Sequence, residues 1–352
     1  MSEMKEFLKE LITLPGLSGH ETPVRKAVEK RWEGLVDEMQ VSRLGSLEGL
    51  KRGNGGEPRK SVLLAGHIDA IGLIVTGITG EFLHITDVGG VDPRVMPGQP
   101  VMVYGREVLK GVVVQPPDKL IEGHEAGAPM GLDKLLVDVG LEADEVAKKV
   151  RPGDLVSFGT QPLELGEDVL SGHTMDDRAA VTAITRCLEI LQKRIHSWDV
   201  WAVATVQEEV GLNGAFTSGY GLNPSLAIAI DVTHAKGPGT SEKDIADLGK
   251  GLVLGMGPNV HPWMYKKLKE LADDLDVPYQ VEMMAGHSGT DAFALQVARG
   301  GRPSMVISIP LRYMHTPVET VSMKDIDRTG RLLAEFITWL EEDSVQGLRW
   351  ED

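Results

Sequence analysis

The chain has very little cysteine, no long apolar run and no excess of basic residues over its 352 positions. The single cysteine, Cys187, excludes an intrachain disulfide and is typical of a reducing compartment. No apolar run approaches the roughly 18–20 residues that span a bilayer, so we expect no membrane-spanning segment. Thirty-six basic and 52 acidic residues give a net charge of −16, which argues against nucleic acid and anionic membranes as partners.

The opening residues, MSEMKEFLKELITL, do not resemble a signal peptide, because they lack a basic start and a small-residue cleavage site. This observation and the single cysteine predict a cytoplasmic protein. Hydrophobic residues make up 42% of the chain, as in ordinary globular proteins.

Two stretches at the ends of the chain have an α/β pattern. Helix-period apolar residues, for example over 3–13 and 22–38, alternate with short apolar runs such as SVLLAG (61–66) and SMVISI (304–309). Buried strands that alternate with helices are typical of a mainly parallel sheet covered on both faces. Because a single core seldom grows beyond about 250–300 residues, the length itself favours two domains.

The middle of the chain has a different pattern. Short β-type runs such as PVMVYG and VLKGVVVQ are separated by Gly, Pro and Asp turns, with one predicted helix at 142–149. We therefore predict that residues 73–164 form a small inserted β-rich domain, of barrel or PDZ-like type. Residues 1–72 and 165–352 would together form the α/β domain.

Five short segments place a histidine or a carboxylate where an apolar run gives way to a loop. They are GHIDAIG (66–72), TMDDR (174–178), VQEEVG (206–211), AIDVTHA (229–235) and RYMHTPVE (312–319). Functional residues of α/β sheets gather at the carboxyl ends of strands. Two metal ions about 3.5–4 Å apart need a bridging carboxylate and terminal nitrogen or oxygen ligands on each side. The segments supply such a set in His67, Asp176, Glu209, Asp231 and His315.

Two further carboxylates in these segments suit supporting roles. Glu208 is adjacent to the candidate ligand Glu209, and a carboxylate left free beside a metal can act as general base in amide hydrolysis. Asp69 follows His67 by two residues and therefore lies on the same side of an extended segment. From there it could accept the second imidazole N–H and orient the ring.

Each motif alone has an ordinary explanation, such as a solvated glutamate pair, a helix cap or an exposed loop. Their common position after apolar runs, in this order, favours a metal site. Four other polar residues have separate interpretations. His234 is a candidate for the wall of a substrate pocket, His287 and Asp291 are expected to shape a turn and cap a helix, and His173 is expected to be structural.

These motifs, together with VQEEVGLNGA and SGTDA, resemble those of the tetrahedral (TET) or glutamyl (deblocking) aminopeptidases, which are di-metal metallopeptidases. The resemblance covers nearly the whole chain. It implies a phosphorylase/hydrolase-like exopeptidase domain with a dimer-forming β domain inserted in it. It also implies a homodimer that assembles into a hollow homododecamer with active sites facing inward.

The resemblance further implies a role for each candidate residue. His67 and Asp231 would be the terminal ligands of one metal, Glu209 and His315 those of the other, and Asp176 the bridge between them. Glu208 would be the general base toward the metal-activated water, and Asp69 would orient His67.

The expected activity is therefore that of a metallo-aminopeptidase that removes N-terminal residues from peptides with a free N-terminus. Two divalent ions per subunit are expected, Zn²⁺ or Co²⁺, with Mn²⁺ also compatible with such ligands. Two departures from the family's pattern affect the surroundings of the ligands. Ala70 stands where an acidic residue often follows the HxD aspartate, and Asn213 stands where an arginine often follows QEEVGL.

Three alternatives stay open. Di-zinc amidohydrolases of the N-acyl-amino-acid deacylase type share the ligand order but place their extra domain between the fourth and last ligands. Here the long gap lies between Asp69 and Asp176, which favours the aminopeptidase. A non-catalytic metal-binding assembly protein would not need the free base Glu208. A glucanase is disfavoured, because glycosidases use paired carboxylates without metals.

Overall fold

The computed structural model describes residues 2–117, 119, 130–240, 246–345 and 348–350, so positions 118 and 120–129 of the predicted insert lie outside it. The helices in these ranges are α1 (Ser2–Thr13), α2 (Thr22–Trp32), α3 (Ala143–Lys149), α4 (Met175–Leu191), α5 (Asn213–Leu222), α6 (Pro262–Asp274), α7 (Asp291–Val297) and α8 (Met323–Trp339). The strands are β1 (Glu38–Val41), β2 (Leu47–Lys51), β3 (Ser61–His67), β4 (Gly72–Thr79), β5 (Phe82–Val88), β6 (Pro100–Tyr104), β7 (Val108–Val114), β8 (Leu136–Asp138), β9 (Leu155–Phe158), β10 (Leu163–Leu165), β11 (Val169–Gly172), β12 (Asp199–Thr205), β13 (Leu226–His234), β14 (Leu252–Met256), β15 (Tyr279–Met283), β16 (Ser304–Arg312) and β17 (Glu319–Ser322).

The large sheet has the strand order β1-β2-β12-β3-β13-β16-β17-β11-β10, and β14 and β15 extend it beside β16. Its centre, β12-β3-β13-β16, is parallel, whereas β1, β2, β10, β11 and β17 pair antiparallel with their neighbours. Helices pack against this centre, so β3 and β13 are buried on both faces and have apolar runs without alternation. The predicted α/β fold with a parallel central sheet is confirmed.

The predicted helix over 22–38 is too long. It ends at Trp32, and the chain turns at Gly34, where φ is +76°, and enters the β1–β2 hairpin. Trp32 is fully buried and donates its indole N–H to Thr185 Oγ1 at 2.8 Å. The residues after Trp32 continue the apolar period because they also pack against the core, although the helix has ended.

The inserted β-rich unit is a closed barrel with the strand order β4-β5-β8-β7-β6-β9, which confirms a separate β domain of barrel type. Its strands run from Gly72 to Phe158, and side chains such as Val103 and Val137 fill a core of their own. The exact division at 73–164 and a role in dimerisation stay predictions.

One contact between the barrel and the α/β domain involves a buried histidine. The ring of His173 meets Phe158 of β9 edge-on, with centroids 5.2 Å apart and an interplanar angle of 82°. Burial, assisted by the positive charge of Arg178, lowers the pKa of His173 to about 3. His173 is therefore a neutral packing residue at the domain junction, as expected from the sequence. None of the helices in the described ranges has the length and apolar content that a bilayer crossing requires.

We predict that His173 makes the protein sensitive to acid. A histidine in the unfolded chain has an ordinary pKa of about 6.5. Between pH 6.5 and about 3, His173 is therefore protonated in the unfolded chain but neutral in the folded one. Stability is thus present above pH 6.5 and falls by up to about 1.4 kcal/mol per pH unit below it. In His173→Asn, the loss of thermal midpoint between pH 7.5 and pH 5, measured by calorimetry with chelator present, should be smaller than in the wild type. The control His20→Asn, at an exposed position, should show the same decrease in thermal midpoint as the wild type. An equal decrease in His173→Asn would contradict the role assigned to His173.

Candidate metal centre

The candidate residues gather at the carboxyl end of the parallel strands. His67 is the last residue of β3, and its register partner Thr205 ends β12, three residues before Glu208. Asp231 lies in the second half of β13, and His315 follows the end of β16. Parallel strands deliver their carboxyl ends to the same edge of a sheet, so residues far apart in sequence converge there.

Six of the seven predicted site residues line one cavity of about 270 Å³, and the seventh, Asp69, is buried behind it. The six are His67, Asp176, Glu208, Glu209, Asp231 and His315. The structure therefore brings the predicted set together, while the roles of its members as ligand, bridge or base stay predictions.

Asp176 stands between the two histidines. Its Oδ1 lies 3.0 Å from Nε2 of His67, and its Oδ2 lies 3.4 Å from Nε2 of His315. Nε2 of His315 is also 3.5 Å from Oε2 of Glu209. One carboxylate thus presents an oxygen to each of two groups of ligand atoms, which is the arrangement that a bridging ligand requires.

Two overlapping groups of side chains have ligand atoms within 4.8 Å of one another. One consists of His67, Asp176 and Glu209, and the other of His67, Asp177 and Asp231. Asp177 was not nominated from the sequence. Its Oδ2 accepts the backbone N–H of His67 at 3.1 Å, and its buried Oδ1 has no hydrogen-bond partner within the described ranges. A buried carboxylate oxygen without a donor is compatible with a nearby cation.

The carboxylates in this cavity repel one another strongly. Burial raises the pKa of Glu208 to about 10, with Asp231 adding to the shift and His67 opposing it. Burial and the charge of Asp176 raise the pKa of Glu209 to about 7 and that of Asp231 well above its ordinary value. Divalent cations would offset this excess of negative charge, so the donor set fits metal ions of the kind that bind imidazole and carboxylate.

The two histidines respond in the opposite sense. Burial alone would lower the pKa of His67, but hydrogen bonds to Asp176 and Asp69 raise it well above its ordinary value. The hydrogen bond to Asp176 raises the pKa of His315 to about 9. Metal ligation requires neutral imidazole, so a bound cation would displace protons from this cluster.

Asp69 supports more of the site than the ring of His67. Its Oδ1 accepts the backbone N–H of Glu208 at 2.9 Å, and its Oδ2 accepts that of Glu209 at 3.2 Å and the hydroxyl of Ser18 at 2.6 Å. Nδ1 of His67 lies 3.1 Å from the backbone oxygen of Asp69 and 3.4 Å from Oδ1. One buried carboxylate therefore holds His67 and the glutamate pair in a common frame.

Glu319 has a similar role that the sequence analysis missed. It is buried, its Oε2 accepts the backbone N–H of Asp176 at 3.1 Å, and its Oε1 accepts that of His315 at 2.8 Å. Glu319 thereby links the backbone of Asp176, which lies between the two histidines, to the backbone of His315. Its position at the end of the RYMHTPVE motif was a signal for it, four residues after His315.

Glu21 supports the same region from the loop before α2 and was also missed. Its Oε1 accepts the backbone N–H of Gly19 at 2.7 Å and that of Gln207 at 3.2 Å. Gln207 precedes the glutamate pair and has a φ of +57°, a region in which residues other than glycine are uncommon. The hydrogen bond from Glu21 therefore helps to hold this unusual backbone.

The remaining histidine predictions agree with the structure. His234 is exposed and lines the cavity, so it is placed to contact a substrate. His287 accepts the backbone N–H of Gly289 on Nδ1 at 2.8 Å and so shapes a turn.

The prediction that Asp291 caps a helix is wrong. The capping residue is Thr290, whose hydroxyl accepts the N–H of Ala292 at 3.3 Å. Asp291 is the first residue of α7 and accepts the hydroxyl hydrogen of Thr205 at 2.5 Å, buried beneath the site. Threonine and aspartate are both favoured capping residues, so the sequence pattern did not separate the two neighbours.

The chain is similar to known aminopeptidases along most of its length. The profile of the M42 glutamyl aminopeptidase family matches residues 45–332. A lysyl aminopeptidase of Pyrococcus furiosus is 34% identical over 333 residues, which cover 93% of this chain and 94% of that protein.

Two solved structures are also similar along their whole length. The aminopeptidase APDkam598 of the archaeon Desulfurococcus kamchatkensis has a TM-score of 0.92 at 33% identity, covering 99% of this chain and 98% of that one. The TET1 peptidase of Pyrococcus horikoshii, which can assemble into a tetrahedron or a large octahedral shell, has a TM-score of 0.83 at 29% identity. That match covers 96% of this chain and 100% of the other.

We predict that divalent ions stabilise the protein through this cluster. A ligand at one hundred times its dissociation constant stabilises the folded state by about 2.7 kcal/mol per site. Chelator should lower the thermal midpoint, and Zn²⁺ or Co²⁺ should restore it. Asp176→Asn should respond less to the ions, because it removes the charge shared by the two histidines. Glu145→Gln, at a half-exposed position of α3, should respond like the wild type, and an undiminished response of Asp176→Asn would argue against the site.

Proposed function

The chain belongs to the M42 glutamyl aminopeptidase family, and on that premise we propose that it removes N-terminal residues from peptides with the help of two divalent metal ions. That it is a peptidase follows from the family. The observation that carries the proposed mechanism is Asp176, which presents one oxygen to His67 and the other to His315, with Glu208 beside them in the same cavity.

The chain's residues would divide into two ligand pairs around a shared carboxylate. His67 and Asp231 would hold one ion, Glu209 and His315 the other, and Asp176 would contact both. Bound Zn²⁺ or Co²⁺, or Mn²⁺ in their place, would polarise the scissile carbonyl and make a water molecule acidic. The hydrogen bonds of Asp69 and Glu319 to four backbone N–H groups hold these side chains in position before substrate arrives.

Glu208 is the residue that we assign to proton transfer. Its Oε2 lies 4.0 Å from Nε2 of His67, and its backbone is held by Asp69. Burial raises the pKa of Glu208. Neighbouring cations would favour its ionised form, and the resulting carboxylate would readily accept a proton. A base with these properties can accept a proton from the attacking water and return it to the leaving amine.

The cavity also suits a substrate that carries a positive charge at its N-terminus. The described residues that line it include neither lysine nor arginine, and five of them are carboxylates: Asp176, Glu208, Glu209, Asp231 and Glu282. A free α-amino group would therefore enter a region of negative potential. This supports peptides with a free N-terminus as substrates.

We further propose a homodimer formed through the barrel and a homododecamer built from it. The outer face of β7 exposes Val108 and Val112 to 56% and 37%, which are apolar side chains available for a subunit contact. The assembly of the similar TET1 peptidase supports the larger particle. We place the enzyme in the cytoplasm, since Cys187 is a buried free thiol.

The first prediction from this proposal concerns the base. Glu208→Gln should lower kcat on aminoacyl nitroanilides by about 10²–10⁴-fold or more, because the amide cannot accept the proton. Metal content, measured by elemental analysis after gel filtration, should match the wild type. The exposed Glu10→Gln is the matched control and should retain activity. Activity near that of the wild type in Glu208→Gln would remove Glu208 from the mechanism.

The second prediction concerns assembly. Light scattering after size exclusion should give twelve times the 38.2 kDa mass of one chain. Val108→Lys with Val112→Lys should shift the distribution toward smaller species, because two desolvated charges oppose association. A wild-type particle that stays monomeric at micromolar concentration would contradict the proposed assembly.

A further inference from the structure

The cavity extends beyond the candidate metal ligands, and its far wall carries a carboxylate that the proposed mechanism does not use. Glu282, on β15, lines the same cavity as His67 and Asp231. Its Oε2 is buried and has no hydrogen-bond partner in the part of the chain that the structure describes. Glu282 also forms no ion pair among these residues. A buried carboxylate oxygen without a donor is costly, so a ligand that supplies one is favoured.

The sheet register sets how far this carboxylate lies from the metal ligands. Asp231 pairs with Ser308, Ser308 with Val253, and Val253 with Gln280, so all four side chains share one face of the sheet. Glu282 is two residues beyond Gln280 and therefore points to the same face. Three inter-strand spacings separate the strands of Asp231 and Glu282, about 14 Å between backbones.

A glycine allows Met284 to pack close to the sheet between them. Gly255 is the register partner of Glu282, and a Cβ at that position would lie 3.0 Å from Sδ of Met284 and 3.2 Å from Cβ of Val306. Met284 and Met314 also line the cavity, and methionine adapts its shape to apolar groups. The cavity wall between the ligands and Glu282 thus combines the two methionines with small hydroxyl side chains such as Ser308, and it ends in a carboxylate.

Within the described ranges, the charges around the cavity leave Glu282 without a counter-ion. The cavity wall contains no lysine or arginine in the described ranges, and its three histidines are His67, His234 and His315. His67 and His315 are engaged with Asp176. A cation at the end of a long apolar stem would therefore match the wall: the stem against the methionines, the charge at Glu282.

We propose that Glu282 selects substrates whose N-terminal residue is lysine or arginine. This inference rests on the proposed aminopeptidase function, in which the scissile bond and the α-amino group stay beside the metal ligands. The N-terminal side chain then extends along the sheet face toward Glu282. Three strand spacings place Glu282 too far from the ligands to anchor the α-amino group itself while the scissile bond is in reach of Glu208.

The test compares lysine with its uncharged counterpart. Lysyl and norleucyl nitroanilides share the four-carbon stem and differ in the terminal ammonium, so their ratio of kcat/KM reports the charge alone. Wild-type enzyme loaded with Zn²⁺ or Co²⁺ should prefer the lysyl substrate by at least tenfold. In Glu282→Gln this ratio should fall toward one, and in Glu282→Lys a glutamyl substrate should gain over the lysyl one. Glu270→Gln, an exposed carboxylate on α6, should keep the wild-type ratio.

The outcomes separate this inference from the function on which it rests. If the wild type releases no N-terminal residue from any substrate of the panel, the aminopeptidase proposal fails. If it hydrolyses norleucyl substrate but does not prefer lysyl substrate, the function stands and the role of Glu282 is refuted. The inference is likewise overturned if Glu282→Gln lowers kcat/KM equally for both substrates, because Glu282 would then act on the common part of the molecule.

Discussion

Repulsion between carboxylates that are buried together is the constraint on which the rest of this structure depends. Burial is the largest cause that raises the pKa values of Asp177, Glu208, Glu209 and Asp231, and neighbouring carboxylates add to it in each case. Such a cluster is stable only if protons or cations reduce its charge. Asp176 is the exception, since hydrogen bonds from two histidines hold its pKa low despite burial. The cluster thus has one firmly ionised member at its centre.

A second group of carboxylates holds the first in place through backbone N–H groups. Asp69 accepts those of Glu208 and Glu209, and Glu319 accepts those of Asp176 and His315. A carboxylate that receives two such bonds cannot shift without breaking both, so the ligand side chains begin from fixed backbone positions. The shape of the cavity then depends on the neighbouring strands, where Gly255 allows Met284 to pack close to the sheet and Glu282 lines the far wall.

The architecture was predictable because hydrophobic pattern is a local property. Alternating helical stripes and short apolar runs indicated the α/β domain, and the change to short β-type runs indicated the barrel. The hairpin at Glu38–Lys51 was not predicted, and the apolar residues between Trp32 and Glu38 were assigned to α2 instead. The antiparallel strands at the edges of the sheet were also missed, because pairing direction is set by connections between distant segments.

The candidate ligands were nominated together because each carries a chemically distinctive side chain after an apolar run. Asp177 and Glu319 belong to the same motifs, yet their partners are a backbone N–H of His67 in one case and those of Asp176 and His315 in the other. Sequence pattern contains no information about which backbone group a buried carboxylate will meet. Glu282 lies outside every motif, and only the pairing of β14 with β16 and β15 brings it to the cavity.

The sequence by itself therefore determined the type of chemistry: histidines and carboxylates in an order and spacing typical of one metallopeptidase family, on an α/β scaffold interrupted by a β domain. The tertiary structure decided which carboxylate oxygen faces which imidazole nitrogen and where the cavity ends. It also decided which carboxylates accept backbone N–H groups and which line the cavity. The physical reason is that residue type is encoded locally, whereas the separation of charges depends on strand register across a sheet whose neighbouring strands are distant in sequence.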